Sequence, residues 1–296
     1  MRAALLAVSL LAVSLLAATA SAQEGAPPDE QRTLLVTVSD DKGQPVSGLT
    51  PEELVVLENG IARTVTKVEL DQRPLTAAIL VDTSLPVGSL VRLHVIDPVA
   101  SFAARLPAGS VYALWTTGDR PTKTIDFTDD TSLVKSALQR TPALGGNTIL
   151  DAIVEAGEDL KKREGERSAI VVITGQGTEF SNRDRFQVVE RAKRLADTFW
   201  AVQYQEALAG ERATLDMRIA YEHALGELTR LSGGLFEMTL SAMGTQRALE
   251  KVSQHLRAQH RLVYATVPDL KERKVEVKVA RPGVKVRVGV ASLAER

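Results

Sequence analysis

The stretch Ala78-Ile-Leu-Val-Asp-Thr-Ser-Leu-Pro86 ends an apolar run in a carboxylate, Asp82, and sets a hydroxyl two residues on, at Ser84. A strand that delivers these two side chains at its carboxyl end offers hard oxygen atoms of the kind a Mg²⁺ ion takes. The next alternate position is Pro86, which has no side-chain oxygen. A further hydroxyl, Thr148, follows Gly145-Gly146 in LGGNTILDAI, where a helix is expected to start. Open α/β sheets bind ligands outside the carboxyl ends of their strands, which is where these residues fall. Ser84 and Thr148 also have plainer readings, as a turn former and a helix cap.

Other candidates are thinner. Glu179, four residues past Gly175, could supply a replacement acid, as could Asp119 or Asp151. A loop carboxylate is ordinarily solvated, and Asp151, just inside a helix, would stabilise the positive end of its dipole. The histidines, His94, His223, His255 and His260, show no metal-ligand spacing. No serine lies in a Gly-x-Ser-x-Gly elbow, cysteine is absent, and Gly175-Gln-Gly177 lacks the third glycine and the lysine of a phosphate loop. No nucleophile and base are paired, so the chain reads as a non-enzyme.

The elements that would position these residues change character along the chain. From Thr33, TLLVTVSD, ELVVLENG and IARTVTKVEL read as short strands, with turns at DKGQPVSG and Asn59-Gly60. After Arg73-Pro74, apolar runs at Thr76–Val81, Val111–Thr116, Ala169–Thr174, Phe199–Tyr204 and Leu235–Thr239 recur with helical segments between them. The helices are placed near 90–105, 132–139, 149–162, 185–196, 213–231 and 246–259, with an edge strand at 123–127. Continuous apolar strands alternating with helices predict a doubly wound, mostly parallel sheet covered on both faces. RLVYATV, KVEVKVA and VKVRVGV return to alternating strands. The α/β unit (74–245) is therefore expected as an insertion between an N-terminal β segment (33–73) and a C-terminal helix plus β segment (246–296). The two β segments would pack as one small β-sandwich, although two separate sheets would read the same way.

Residues 2–22, RAALLAVSLLAVSLLAATASA, combine one basic residue, an apolar run and a small-x-small ending, the pattern of a signal peptide (1–22) cut before Gln23. QEGAPPDEQR (23–32) reads as a flexible lead-in. With no cysteine, the exported chain is stabilised by packing alone, and no later stretch has spanning length. A net charge of -1 argues against nucleic acid as a partner. Lys271 to Arg287 carries seven basic and two acidic residues, mostly on one face of the strands.

AAILVDTSLP, ALGGNTILDAIV, AIVVITGQGTEFS and ELTRLSGGLFEM, in this order, resemble a von Willebrand factor type A domain over residues 74–245. The flanking segments are similar to those of a group of exported bacterial proteins carrying such domains. The resemblance implies a Rossmann-like sheet with a metal-ion-dependent adhesion site on top, where a divalent ion, usually magnesium, is completed by an acidic group of the partner. The family pattern is Asp-x-Ser-x-Ser, a Thr after the Gly-Gly turn and an Asp after the fourth strand. This chain matches at Asp82, Ser84 and Thr148 and departs at Pro86 and Gly175, so the implied site is thinned by one hydroxyl and one carboxylate. The expected function is a secreted or periplasmic binding module, taking a protein or envelope component on a surface that includes Pro86, Gly175 and Glu179 and the loops 85–88 and 175–181. The alternative is an assembly or scaffold protein that acts through its flanking β-domain.

Overall fold

A computed structural model describes residues 30–163, 167–175, 179–204, 215–267 and 274–289. The expected signal peptide, residues 23–29 of the lead-in and residues 271–273 of the basic run lie outside the described residues.

The chain opens with β1 (Glu30–Asp40), β2 (Leu54–Glu58), β3 (Ile61–Arg63) and β4 (Val65–Leu70). β1 starts inside the expected lead-in, because Glu30, Gln31 and Arg32 continue an antiparallel ladder opposite Thr266, Ala265 and Tyr264. Backbone pairing needs no apolar side chain, so a polar stretch can join a strand without a hydrophobic signal.

The central sheet is built from β5 (Leu75–Val81), β6 (Val111–Thr116), β7 (Thr122–Thr128), β8 (Arg167–Thr174), β9 (Thr198–Tyr204) and β10 (Phe236–Thr239). Its order is β10-β9-β8-β5-β6-β7, parallel except for the edge strand β7. Between the strands run α1 (Gly88–Leu90), continued by a π-turn at Val91–Val95 into α2 (Ile96–Ala103), and α3 (Leu133–Arg140), α4 (Ile149–Lys161), α5 (Arg185–Ala192), α6 (Leu215–Ser232) and α7 (Ala242–Arg257).

Strand alternation explains why the runs are apolar throughout. Ala77, Ile79 and Val81 face one layer, with Val99, Phe102, Leu138, Leu249 and Val252. Ala78 and Leu80 face the other, with Ile153, Leu160, Val188 and Leu228. The helix expected at 246–259, grouped by position with the C-terminal strands, belongs to the first layer. Its stripe of Ala248, Leu249, Val252 and Leu256 buries against the sheet.

The chain ends with β11 (His260–Thr266), β12 (Val275–Val279) and β13 (Val284–Val288). These interleave with the first strands in two antiparallel sheets, β13-β1-β11-β4 and β12-β2-β3. Leu34, Val36, Leu54, Val56, Leu262 and Tyr264 form their shared core. The first and last described strands thus share one β-unit, and the six-stranded sheet falls between them in the chain.

A buried polar cluster joins the two parts. Arg167, at the start of β8, donates to the Asp71 carbonyl at 3.2 Å, to Gln259 Oε1 at 2.7 Å and to the Leu256 carbonyl. The Asp71 carboxylate accepts a two-pronged contact from Arg73 at 2.8 and 2.7 Å. Burial pushes Asp71 up, but the guanidiniums of Arg73 and Arg167 outweigh it and hold the carboxyl below its ordinary value. Nearby, the buried His255 of α7 stacks on Trp200 and uses Nε2 to donate to the Gly43 carbonyl of the β1–β2 connection, 3.1 Å away.

Burial lowers the His255 pKa from 6.5 to about 4, and burial lowers His260 in the same direction. The unfolded chain therefore takes up these protons first as pH falls, so stability present above pH 6.5 is lost between 6.5 and about 4. Urea midpoints measured across that window should decline in the wild type and decline less steeply in His255→Gln; equal slopes would contradict the assignment.

Candidate functional site

β5 is a central strand and ends at Val81, so the residue that follows it, Asp82, is only 1% exposed. A buried carboxylate needs donors, and the loops around it supply them. Oδ1 accepts the Ser84 N–H at 3.0 Å. Oδ2 accepts Asn147 Nδ2 at 2.8 Å, the Thr174 hydroxyl at 3.0 Å and the Gly175 N–H at 3.0 Å. Three segments are tied through one side chain: the end of β5, the Gly-Gly turn before α4, and the end of β8. Burial raises the Asp82 pKa, opposed by the Ser84 and Gly175 N–H groups and the Thr174 hydroxyl.

Asn147 is the second organiser. Its Oδ1 accepts the Thr117 hydroxyl at 2.7 Å, and its Nδ2 reaches Thr174 as well as Asp82. Its backbone bridges Gly118 on one side and Glu179 on the other. Sequence reasoning passed over Asn147, Thr117 and Thr174. A loop asparagine beside a singled-out threonine carries no periodic signal, and only the fold shows that its amide faces a carboxylate.

The residues singled out in the sequence have different fates. Ser84 is fully buried, and its Oγ makes no hydrogen bond of normal geometry among the described residues. Thr148 precedes α4, but its hydroxyl does not cap the helix; it donates to the Thr117 carbonyl at 2.9 Å. Pro86 lies in a 3-10 turn, Leu85–Val87. Gly175 is buried, and a Cβ added there would overlap Val87 Cγ1. An aspartate at 175, as in the family pattern, has no room while Val87 holds that place.

Glu179 is half-buried and accepts the Ser181 N–H at 2.6 Å; burial raises its pKa. Tyr221 is buried, and burial together with the Glu179 and Asp82 charges lifts its hydroxyl well above the ordinary value. Asp151 is engaged elsewhere, with Arg183 at 2.8 Å and the Asn182 N–H at 2.8 Å. Asp119 is exposed, in a left-handed conformation (φ 66°).

These donors and acceptors do not fit a Mg²⁺ ion. Asp82 Oδ2 already accepts three hydrogen bonds, the Thr148 hydroxyl is committed to a carbonyl, and Val87 fills the space beside Gly175. An octahedral ion would have to displace these partners and gain a single carboxylate. The space next to Asp82 is a cavity of about 10 Å³, roughly one water, lined mainly by Val87, Val91, Val95 and Ile173. Among the described residues no group of three or more His, Asp or Glu could hold a metal ion.

The surface above is apolar. Leu85, Leu144 and Phe180 are 67%, 51% and 63% exposed. Their backbones are held by the same loops: the Leu85 N–H donates to the Gly145 carbonyl at 3.0 Å, the Leu144 N–H to Thr83 at 3.2 Å and the Phe180 N–H to Asn147 at 2.7 Å. The Phe180 ring lies over Gly146, where a Cβ would overlap it.

Residues 77–178 match the family model described as von Willebrand factor type A domain. Solved structures with a similar course include BatB from Bacteroides thetaiotaomicron, with 15% identity and a TM-score of 0.44, covering 61% of this chain and 98% of that one. A von Willebrand factor type A structure from Catenulispora acidiphila has 11% identity and a TM-score of 0.48, covering 90% of this chain and 74% of that one. Proximal thread matrix protein 1 from the mussel byssus, with a zinc-occupied MIDAS motif, has 15% identity and a TM-score of 0.48, covering 72% and 50%. No curated protein matches the chain.

Gly175→Asp should cost about 1–3 kcal/mol, the usual range for overpacking. Adding Val87→Ala should return part of that loss. Urea denaturation of the single and double variants checks both, and a Gly175→Asp protein as stable as wild type would show that Val87 does not occupy the site.

Proposed function

We propose that the chain is an exported, non-enzymatic binding module that takes a protein or cell-envelope component on the loops beyond the carboxyl ends of β5, β6 and β8, without a bound ion. Von Willebrand factor type A domains commonly mediate protein–protein interaction, and residues 77–178 match that family. The observation that carries the reading is the apolar group Leu85, Leu144 and Phe180, exposed on loops tied down around Asp82. Exposed apolar side chains on a rigid backbone lose little entropy on docking, which favours association. Export rests on the pattern of residues 2–22; no helix among the described residues is long and apolar enough to cross a membrane.

The scaffold alternative would use the basic strands of the β-unit. Much of that charge has partners within the chain. Arg281 binds Glu53 at 2.8 Å, Lys278 lies 3.7 Å from Glu276, and Arg287 reaches the Ser39 hydroxyl at 3.4 Å. These contacts leave less charge for an external polymer.

A photo-crosslinking residue placed at 85 or 180 in the exported protein should yield a discrete adduct that survives EDTA, while one at 278 or 285 should not. Adducts confined to 278 and 285 would transfer the function to the β-unit. Calorimetry with Mg²⁺ and Mn²⁺ should show no heat at millimolar ion; binding heat that disappears in Asp82→Ala would overturn ion independence.

A further inference from the structure

Beside the apolar loops lies a cavity of about 630 Å³, between the β6–β7 turn and the segment from α3 to the Gly-Gly turn. That volume is within the range of ligand sites, about 300–1,000 Å³. Ile125, Leu133 and Leu144 provide apolar lining, and Arg120 of the β6–β7 turn and Arg140 at the end of α3 also line it. Among the described residues neither guanidinium is in an ion pair or a side-chain hydrogen bond. Both are thus without a carboxylate partner of their own, unlike Arg73, Arg167 and Arg281. One carboxylate lines the cavity, that of Asp119, and its Oδ1 lies against Gly145. The Thr83 hydroxyl accepts the Gly118 N–H at 3.1 Å and has its own hydrogen left to donate.

Two unpaired guanidiniums and a hydroxyl donor above an apolar floor suit a carboxylate flanked by apolar groups. Guanidinium binds carboxylate through parallel N–H donors. Leu144 belongs both to this cavity and to the exposed apolar loops, so the two surfaces are continuous. We propose that this groove receives an Asp or Glu side chain, with its apolar neighbours, from an extended segment of a partner protein, and that Arg120 and Arg140 hold the carboxylate. The inference rests on the binding face proposed above and names the partner's chemistry. Aromatic side chains, on which nucleic acid bases would stack, are absent from the lining.

The test is an NMR titration of the ¹⁵N-labelled chain from Gln23 with the peptide acetyl-Leu-Glu-Leu-amide, its Gln counterpart, and inorganic phosphate. The Glu peptide should shift amides in 116–124 and 133–144. The double variant Arg120→Gln/Arg140→Gln should bind it at least about tenfold more weakly while melting at the wild-type temperature, since both side chains are exposed. Equal binding of the Gln peptide, phosphate binding as tight as that of the Glu peptide, or no shifts at millimolar peptide would each overturn the groove. The crosslinks at 85 and 180 separate this inference from the one it rests on. Adducts that persist undiminished in the double variant would sink the arginine groove and leave the face intact, whereas peptide binding without adducts at either position would sink the face alone.

Discussion

A single buried carboxylate, that of Asp82, sets the form of the upper surface. Its charge lies where water does not reach, so the chain must surround it with N–H and O–H donors or leave it at high cost. Ser84, Asn147, Thr174 and Gly175 meet that demand. Meeting it fixes the backbone of three connections that have no regular secondary structure of their own. Leu85, Leu144 and Phe180 are exposed yet held because their amides are bonded to those same connections.

The opposite end of the same strand pair has a matching arrangement. β5 and β8 are neighbours in register from Leu75–Arg167 to Val81–Ile173. Asp71, just before β5, meets Arg167 at the start of β8; Asp82, just after β5, meets Thr174 and Gly175 at the end of β8. The pair is clamped by a carboxylate at each end. The lower clamp also takes in Gln259 and the Leu256 carbonyl at the end of α7, and so joins the inserted layer to the β-unit that encloses it. Arg73 compensates the charge of Asp71, while neutral donors alone satisfy Asp82. That difference accounts for the opposite directions of their pKa shifts.

A carboxylate held by hydrogen bonds and one held to an ion offer different surfaces. An ion with an open coordination position attracts a carboxylate by charge at one point. Here the neighbourhood of Asp82 is closed by Val87 above and by a cavity little larger than a water. Arg120 and Arg140 line the neighbouring cavity, and the adjoining surface is apolar. Under the reading proposed above, recognition would depend on shape and on two exposed guanidiniums.

The sequence by itself determined the order of strands and helices, because a strand buried on both faces must be apolar throughout and a helix must repeat near 3.6 residues; Val111–Thr116 was legible to the residue. It also showed, at Pro86 and Gly175, that two family ligands were missing. Only the tertiary structure decided why no substitute could enter. Val87, read as part of a loop, occupies the space of a side chain at 175, and Asn147, to which sequence reasoning assigned no role, supplies a donor to a carboxylate 65 positions away. It likewise decided that α7 packs on the central sheet and that Arg120 and Arg140 share one groove. Local patterns record which face of an element is buried, whereas the pairing of polar side chains depends on distances between segments that sequence spacing does not encode.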